Sequence, residues 1–91
     1  MTGADSMSAE AQLTVQQELD LRGLNCPLPI LRTKQALRSM EVGQCVRVVA
    51  TDPHSVIDFM GFCDTTEHEL LAHEQAEGEF TFTIRKGARP A

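Results

Sequence analysis

A chain of 91 residues with a formal net charge of −5 has room for one compact domain and little more. Such a domain buries only about 60–65 % of its unfolded surface. With four Phe and neither Trp nor Tyr, its core is expected to be aliphatic and too small to enclose a large cofactor, so function is expected at the surface. The negative charge argues against general nucleic-acid binding, and no apolar run approaches the ~20 residues that span a bilayer.

The segment from Met1 to about residue 17 is rich in small and polar residues and reads as a flexible tail, with Met7 as a second candidate start. It lacks the basic and apolar regions of a secretory signal, so the expectation is a cytoplasmic protein. The domain is expected over 18–87, with 88–91 as a short C-terminal tail. Glu18 to Arg22 alternates apolar and polar residues through Leu19 and Leu21, as a half-buried strand does. Gly23 to Asn25 turns the chain, and Pro27 and Pro29 suit the first turn of a helix, where backbone N–H groups have no intrahelical partner. This places Cys26 at the N-cap. Ile30, Thr33, Leu37 and Met40 recur at helical spacing as the buried stripe, with Leu31 and Ala36 beside it, and Arg32, Lys34, Gln35 and Arg38 form the wet face.

Gly43 closes that unit. Gln44 to Ala50 reads as a second strand, with Val46, Val48 and Ala50 on one face and Cys45, Arg47 and Val49 on the other. Asp52-Pro53 is a helix start, an N-cap carboxylate followed by proline at the first helical position. Val56, Met60 and Cys63 line the buried face of this helix, supported by Ile57 and Phe59. A third strand runs from about His68 to Glu74, and Glu77-Gly78-Glu79 is a hairpin signal. Phe80, Phe82 and Ile84 alternate with Thr81, Thr83 and Arg85 in the last strand. The order is βαβαββ. Right-handed crossovers then put both helices on one face of a four-stranded mixed sheet, giving a two-layer α/β sandwich.

Three cysteines, Cys26, Cys45 and Cys63, are an odd count in a chain without a secretory signal, so a disulfide framework is not expected. No CxxC pair occurs and no Cys/His cluster has zinc-ligand spacing, so neither a metal nor a cofactor is expected. Cys26 carries the chemistry. A thiol at a helix N-terminus feels the positive end of the backbone dipoles, which favours its anion and that of a persulfide. Pro27 and Pro29 remove two N–H groups, leaving those of Leu28 and Ile30 as the first-turn donors, and add rigidity. With no resolving cysteine nearby and no neighbouring general base, Cys26 reads as a carrier site rather than the centre of a dithiol oxidoreductase or a hydrolase. The bland alternative, a small residue at a helix start, is poorly served by cysteine, a weak N-cap beside Ser, Asp or Asn.

Gly23-Leu24-Asn25-Cys26-Pro27-Leu28-Pro29 resembles the CPxP signature of the TusA (SirA-like) sulfur carriers. The similarity continues through Asp52-Pro53, Gly61-Phe62-Cys63, Glu67-His68-Glu69-Leu70 and Ile84-Arg85-Lys86-Gly87, covering roughly Leu19 to Gly87. The resemblance implies the same βαβαββ fold. It also implies a covalent carrier, rather than a stand-alone enzyme, that takes persulfide sulfur onto Cys26 from a cysteine desulfurase or rhodanese-like donor. A downstream sulfur-relay protein would be the acceptor. The Gly-Phe-Cys and Glu-His-Glu-Leu segments are most similar to the branch that serves 2-thiolation of the tRNA wobble uridine; other branches serve sulfur oxidation, molybdenum-cofactor assembly or selenium metabolism. Leu28 fills the variable position of the motif, where the best-known member carries an acid, which bears on the choice of acceptor. Pro27, Leu28, Pro29 and Ile30 would position the persulfide.

The remaining candidates weigh differently. Cys63 and His68 are too few for a zinc shell, and Cys63 and Cys45 both read as packed thiols. His68 and His73, five apart on a strand, should face opposite sides, and His54 reads as surface. Five basic residues and one acid lie between Arg22 and Arg47, and eight acids and no Lys or Arg between Val48 and Glu79. That split suits protein docking, with Arg32, Lys34 and Arg38 as a steering patch and Asp52 as a cap and docking residue; a solvated helix face is the plain alternative. A binding or regulatory module without sulfur chemistry remains the competing functional class.

Overall fold

Twice along the chain, period-two alternation gives way to helical spacing and then returns, and the structure follows it: β1 (Gln17–Leu21), α1 (Leu28–Arg38), β2 (Cys45–Ala50), α2 (His54–Asp64), β3 (Glu69–Ala76) and β4 (Glu79–Arg85). The computed structural model describes residues 14–88; most of the expected N-terminal tail, and 89–91 of the C-terminal one, lie outside the described residues. The four strands form one mixed sheet in the order β1-β2-β4-β3, with β1 parallel to β2 and β4 antiparallel to both β2 and β3. Both helices pack on the sheet, as the βαβαββ reading requires.

The register explains the core. Leu19 stands opposite Val48, Val48 opposite Phe82, and Phe82 opposite His73, one row across all four strands. Val46, Val48, Ala50, Phe82 and Ile84 are fully buried. Phe59 of α2 stacks on Phe82 with ring centroids 4.5 Å apart. All four Phe belong to this core, so it is not the aliphatic core that the composition suggests. Each buried phenylalanine contributes on the order of 1.5–3 kcal/mol, enough for a few rings to anchor α2 to the sheet.

The expected stripe of α1, Ile30, Thr33, Leu37 and Met40, does face the core, while that of α2 is rotated from the expected one. On α1 the buried residues are Pro29, Thr33, Ala36 and Leu37, while Leu31 is 46 % exposed. Thr33 is buried without penalty because its Oγ1 donates to the Pro29 carbonyl at 2.9 Å. On α2 the buried residues are Ser55, Phe59 and Phe62, whereas Ile57 and Met60 are exposed. Two phenylalanines three residues apart claim the sheet, and the other apolar side chains turn outward.

Element ends differ by a residue or two. β1 starts at Gln17, one residue early, and the Gln16 N–H extends the pairing by donating to the Cys45 carbonyl at 2.9 Å. β3 begins after His68 and runs on to Ala76. The β3–β4 turn has Glu77 at φ 52° and Gly78 at φ 79°, the double left-handed geometry of a two-residue hairpin. Lys86, just past β4, ties the sheet to the end of α1: its Nζ donates to the Met40 carbonyl just past the helix at 2.6 Å and reaches the Arg38 carbonyl in the last turn at 3.5 Å.

Candidate functional site

The head of α1 sits where β1 and β2, running parallel, deliver both helices to the same end of the sheet. Cys26 is exposed there. It does not cap the helix: regular structure starts at Leu28, Pro27 occupies the N-cap with no side-chain hydrogen bond, and Cys26 is the residue before it. The Cys26–Pro27 peptide bond is cis. The Leu28 N–H is not free to face the sulfur, because it donates to the Asn25 carbonyl at 2.8 Å. The expected pair of first-turn donors thus reduces to that of Ile30.

Asp52 holds this corner. One carboxylate oxygen accepts the Cys26 N–H at 2.6 Å and the other accepts the His54 N–H at 3.0 Å. Pro53 takes the N-cap position of α2 with helical φ and ψ, so the capping carboxylate stands one residue further out than expected. The Asp52 main-chain carbonyl receives the Ser55 N–H and Oγ–H, at 2.9 and 2.6 Å. The N–H groups of Cys26 and His54 hold the Asp52 carboxyl below its usual range. One residue therefore organises the start of α2 and pins the backbone of the thiol.

The electrostatics of the thiol contradict the expected anion. Asp58 on α2, with partial desolvation and the negative charge of Asp52, raises the Cys26 thiol above the ordinary cysteine range. A cysteine set back from the first turn, beside two carboxylates, gains less from the helix dipole than it loses to its neighbours. Asp58 was not legible as a site residue, because its approach to Cys26 depends on how the two helices lie together. Its one sequence signal was a carboxylate six residues after Asp52, on the second helix.

Leu28 is exposed, Pro29 buried and Ile30 half-buried, so Pro29 anchors the first turn and Leu28 borders the thiol. Of the steering residues, Arg32 and Arg38 are exposed, and Lys34 lies with its Nζ 5.7 Å from the centre of the Phe62 ring, at the seam with α2. Arg22 and Arg47 do not join them: Arg22 pairs with Asp20 and Glu79, and Arg47 with Glu18, at the surface of the sheet. The basic stretch of sequence is thus two surfaces in space.

The other two cysteines sit away from this chemistry. Cys45 is buried in β2, and burial pushes the half-buried Cys63 up to about 11. His68 is buried, its ring beside Phe62 and its Nδ1 accepting the Gly87 N–H at 3.0 Å; desolvation keeps it below the usual imidazole range. His73 stacks on Phe82 and His54 is exposed. Among the described residues no three His, Cys, Asp or Glu side chains gather as metal ligands, and no helix is long and apolar enough to cross a membrane.

An α/β sandwich that presents one exposed cysteine ahead of its first helix, with its other two thiols wholly or partly covered, is the class that fold and site define. Comparison with known proteins gives that class a family. The profile of the family described as Sulfurtransferase TusA matches residues 17–86. The chain is 53 % identical over 70 residues to the sulfur carrier protein TusA of Allochromatium vinosum, covering 77 % of this chain and 92 % of that protein. It is 43 % identical over 74 residues to the sulfur carrier protein TusA of Pseudomonas syringae pv. syringae, covering 81 % and 88 %. The chain belongs to the TusA family of sulfur carriers.

Proposed function

We propose that Cys26 carries sulfur as a persulfide, accepted from a cysteine desulfurase or rhodanese-like protein and passed to a relay protein whose sulfur ends in 2-thiolation of the tRNA wobble uridine. The observation that carries the reading is the exposed Cys26 thiol, its backbone pinned by Asp52 at 2.6 Å. Family membership supplies the sulfur, and the position supplies access.

The chemistry needs nothing the site lacks. The Cys26 thiolate attacks the outer sulfur of the donor's persulfide. A new S–S bond forms on Cys26, the donor's S–S bond breaks, and the donor leaves as a thiolate. The proton of Cys26 goes to solvent or to the partner, and no net oxidation occurs. Pro27, Leu28, Pro29 and Ile30 fix the corner on which the outer sulfur rides. Arg32, Lys34 and Arg38 make the cationic approach to an acidic partner, and Asp52 holds the corner in place as the partner docks. Neither a metal nor a cofactor enters this scheme, nucleic acid is not touched directly, and the setting is the cytoplasm.

The pathway is tested in a bacterium lacking its own carrier of this type. Expression of the chain is expected to restore 2-thiouridine in hydrolysed tRNA, and Cys26→Ser is expected to give none. Restoration by the Ser variant would point instead to a binding module. Sulfur on Cys26 in vitro without restoration would place the carrier in another sulfur pathway.

A further inference from the structure

Eight acids and no Lys or Arg lie between Val48 and Glu79, and the proposed sulfur transfer employs only Asp52 of them. Three of the others gather at the far end of α2. There Asp64, Glu67 and Glu69 line an open cleft of about 510 Å³ together with the apolar side chains of Met60, Cys63 and Leu70. Glu69 is paired with Arg85, whereas Asp64 and Glu67 are exposed and make no ion pair among the described residues. A helix C-terminus favours a cation, yet the last turn of α2 has no basic residue, and Asp64 adds a like charge to its open carbonyls. The nearby cations are turned elsewhere: Lys86 reaches the Met40 and Arg38 carbonyls, and Lys34 lies over the Phe62 ring.

His68 supplies an independent observation. It lines the same cleft but is only 4 % exposed. Its Nδ1 accepts the Gly87 N–H at 3.0 Å, so the neutral ring carries its proton on Nε2. That N–H meets no acceptor among the described residues, an uncommon state for a polar group so deeply buried. In this tautomer Nε2 has no lone pair to give a metal, and what it seeks is an acceptor. The loop that carries His68 is stiffened by Thr65 and Thr66, whose hydroxyls donate to the Gly61 and Phe62 carbonyls at 2.8 Å each, so the cleft is formed in advance of binding.

We propose that this cleft is a second docking site, which takes a basic, extended segment of a partner protein. A Lys or Arg of the segment pairs with Asp64 and Glu67 at the negative end of α2. Its alkyl stem lies on Met60 and Leu70, and a main-chain carbonyl beside it accepts the His68 Nε2–H. A bare cation satisfies only the first of these contacts, and an anion is repelled by the acids. α2 begins beside Asp52, which clamps Cys26. Its 11 residues span about 16 Å, so a segment held at the far end leaves the thiol uncovered. One partner can then hold the protein while Cys26 and the cations of α1 meet another. That the held partner belongs to a sulfur relay rests on the carrier reading given above; the recognition itself does not.

Nitrogen-15 NMR of the full chain tests the site, with acetyl-Leu-Arg-Leu-Arg-amide as probe and acetyl-Leu-Glu-Leu-Glu-amide as control. The Arg peptide is expected to shift the amides of residues 63–70 and the imidazole nitrogens of His68, and to leave Cys26 and Leu28 in place. Its binding is expected to weaken as salt is raised, and the Glu peptide to shift none of these signals. The double variant Asp64→Asn, Glu67→Gln changes two exposed side chains and is expected to bind the Arg peptide severalfold more weakly. Equal binding by the folded double variant, shifts centred on α1, or a His68 ring that does not respond would each overturn the proposal. So would the absence of any shift up to the solubility limit of the peptide. Persulfide loading of wild type by a desulfurase is scored separately: its failure would remove the carrier reading, while the NMR result still decides the cleft.

Discussion

Asp52 does two jobs with one carboxylate, and the second was not visible in the sequence. As a cap it accepts the His54 N–H, and as a clamp it accepts the Cys26 N–H. Asp52→Ala removes the acceptor of both N–H groups. The expected outcome is a Tm lowered by several degrees; an unchanged melting curve would show that neither bond matters. Because the Asp52 carboxyl is held below its usual range in the folded state, this contribution is full at neutral pH and disappears as the pH falls through the carboxylate range. Cys26 and Asp52 could be picked out from local grammar, a thiol before prolines and an acid before a helix. Asp58 could not, because nothing local distinguishes it from the other acids on exposed helix faces. The sign of the thiol's perturbation was missed for the same reason: the dipole argument is local, and the carboxylates arrive through tertiary structure.

At the scale of elements, the alternation of periods two and 3.6 was enough to order six segments and to choose a two-layer sandwich. It gave the buried face of α1 but not that of α2. α2 carries more apolar residues than one stripe can bury, and the two that win, Phe59 and Phe62, are those that can stack on the sheet or on His68. Ile57 and Met60 were displaced outward in consequence. His68 illustrates a related gap, since a residue expected within β3 is instead a buried hinge between α2 and β3. Its neutral Nδ1 accepts the Gly87 N–H, and a Cβ at position 87 would collide with the Glu67 carbonyl. The folded imidazole is harder to protonate than the unfolded one, so its contribution is full above about pH 6.5 and is lost as the pH drops below that value. Urea unfolding at about pH 7.5 and about pH 5.5 is expected to show a larger loss of stability for wild type than for His68→Gln. Equal losses would remove His68 from the account.

For the whole molecule, the division of charge along the sequence becomes a division of labour in space. The arginines of β2 and of the β1–α1 turn are absorbed into ion pairs at the sheet surface, and exposed pairs of that kind stabilise little. The cations of α1 remain for partners, beside a thiol set among carboxylates. Small size and a core centred on Phe59 and Phe82 leave no room for an enclosed active site. Both facts suit a protein whose chemistry is completed by whichever partner it meets.

The central claim is that sulfur rides on Cys26, and intact-protein mass spectrometry after incubation with a cysteine desulfurase and cysteine tests it most directly. Wild type is expected to gain about 32 Da per sulfur atom, lost again on adding a reductant, while Cys26→Ser gains nothing. A reductant-sensitive gain that persists in Cys26→Ser, or none in wild type with several active donors, would contradict it.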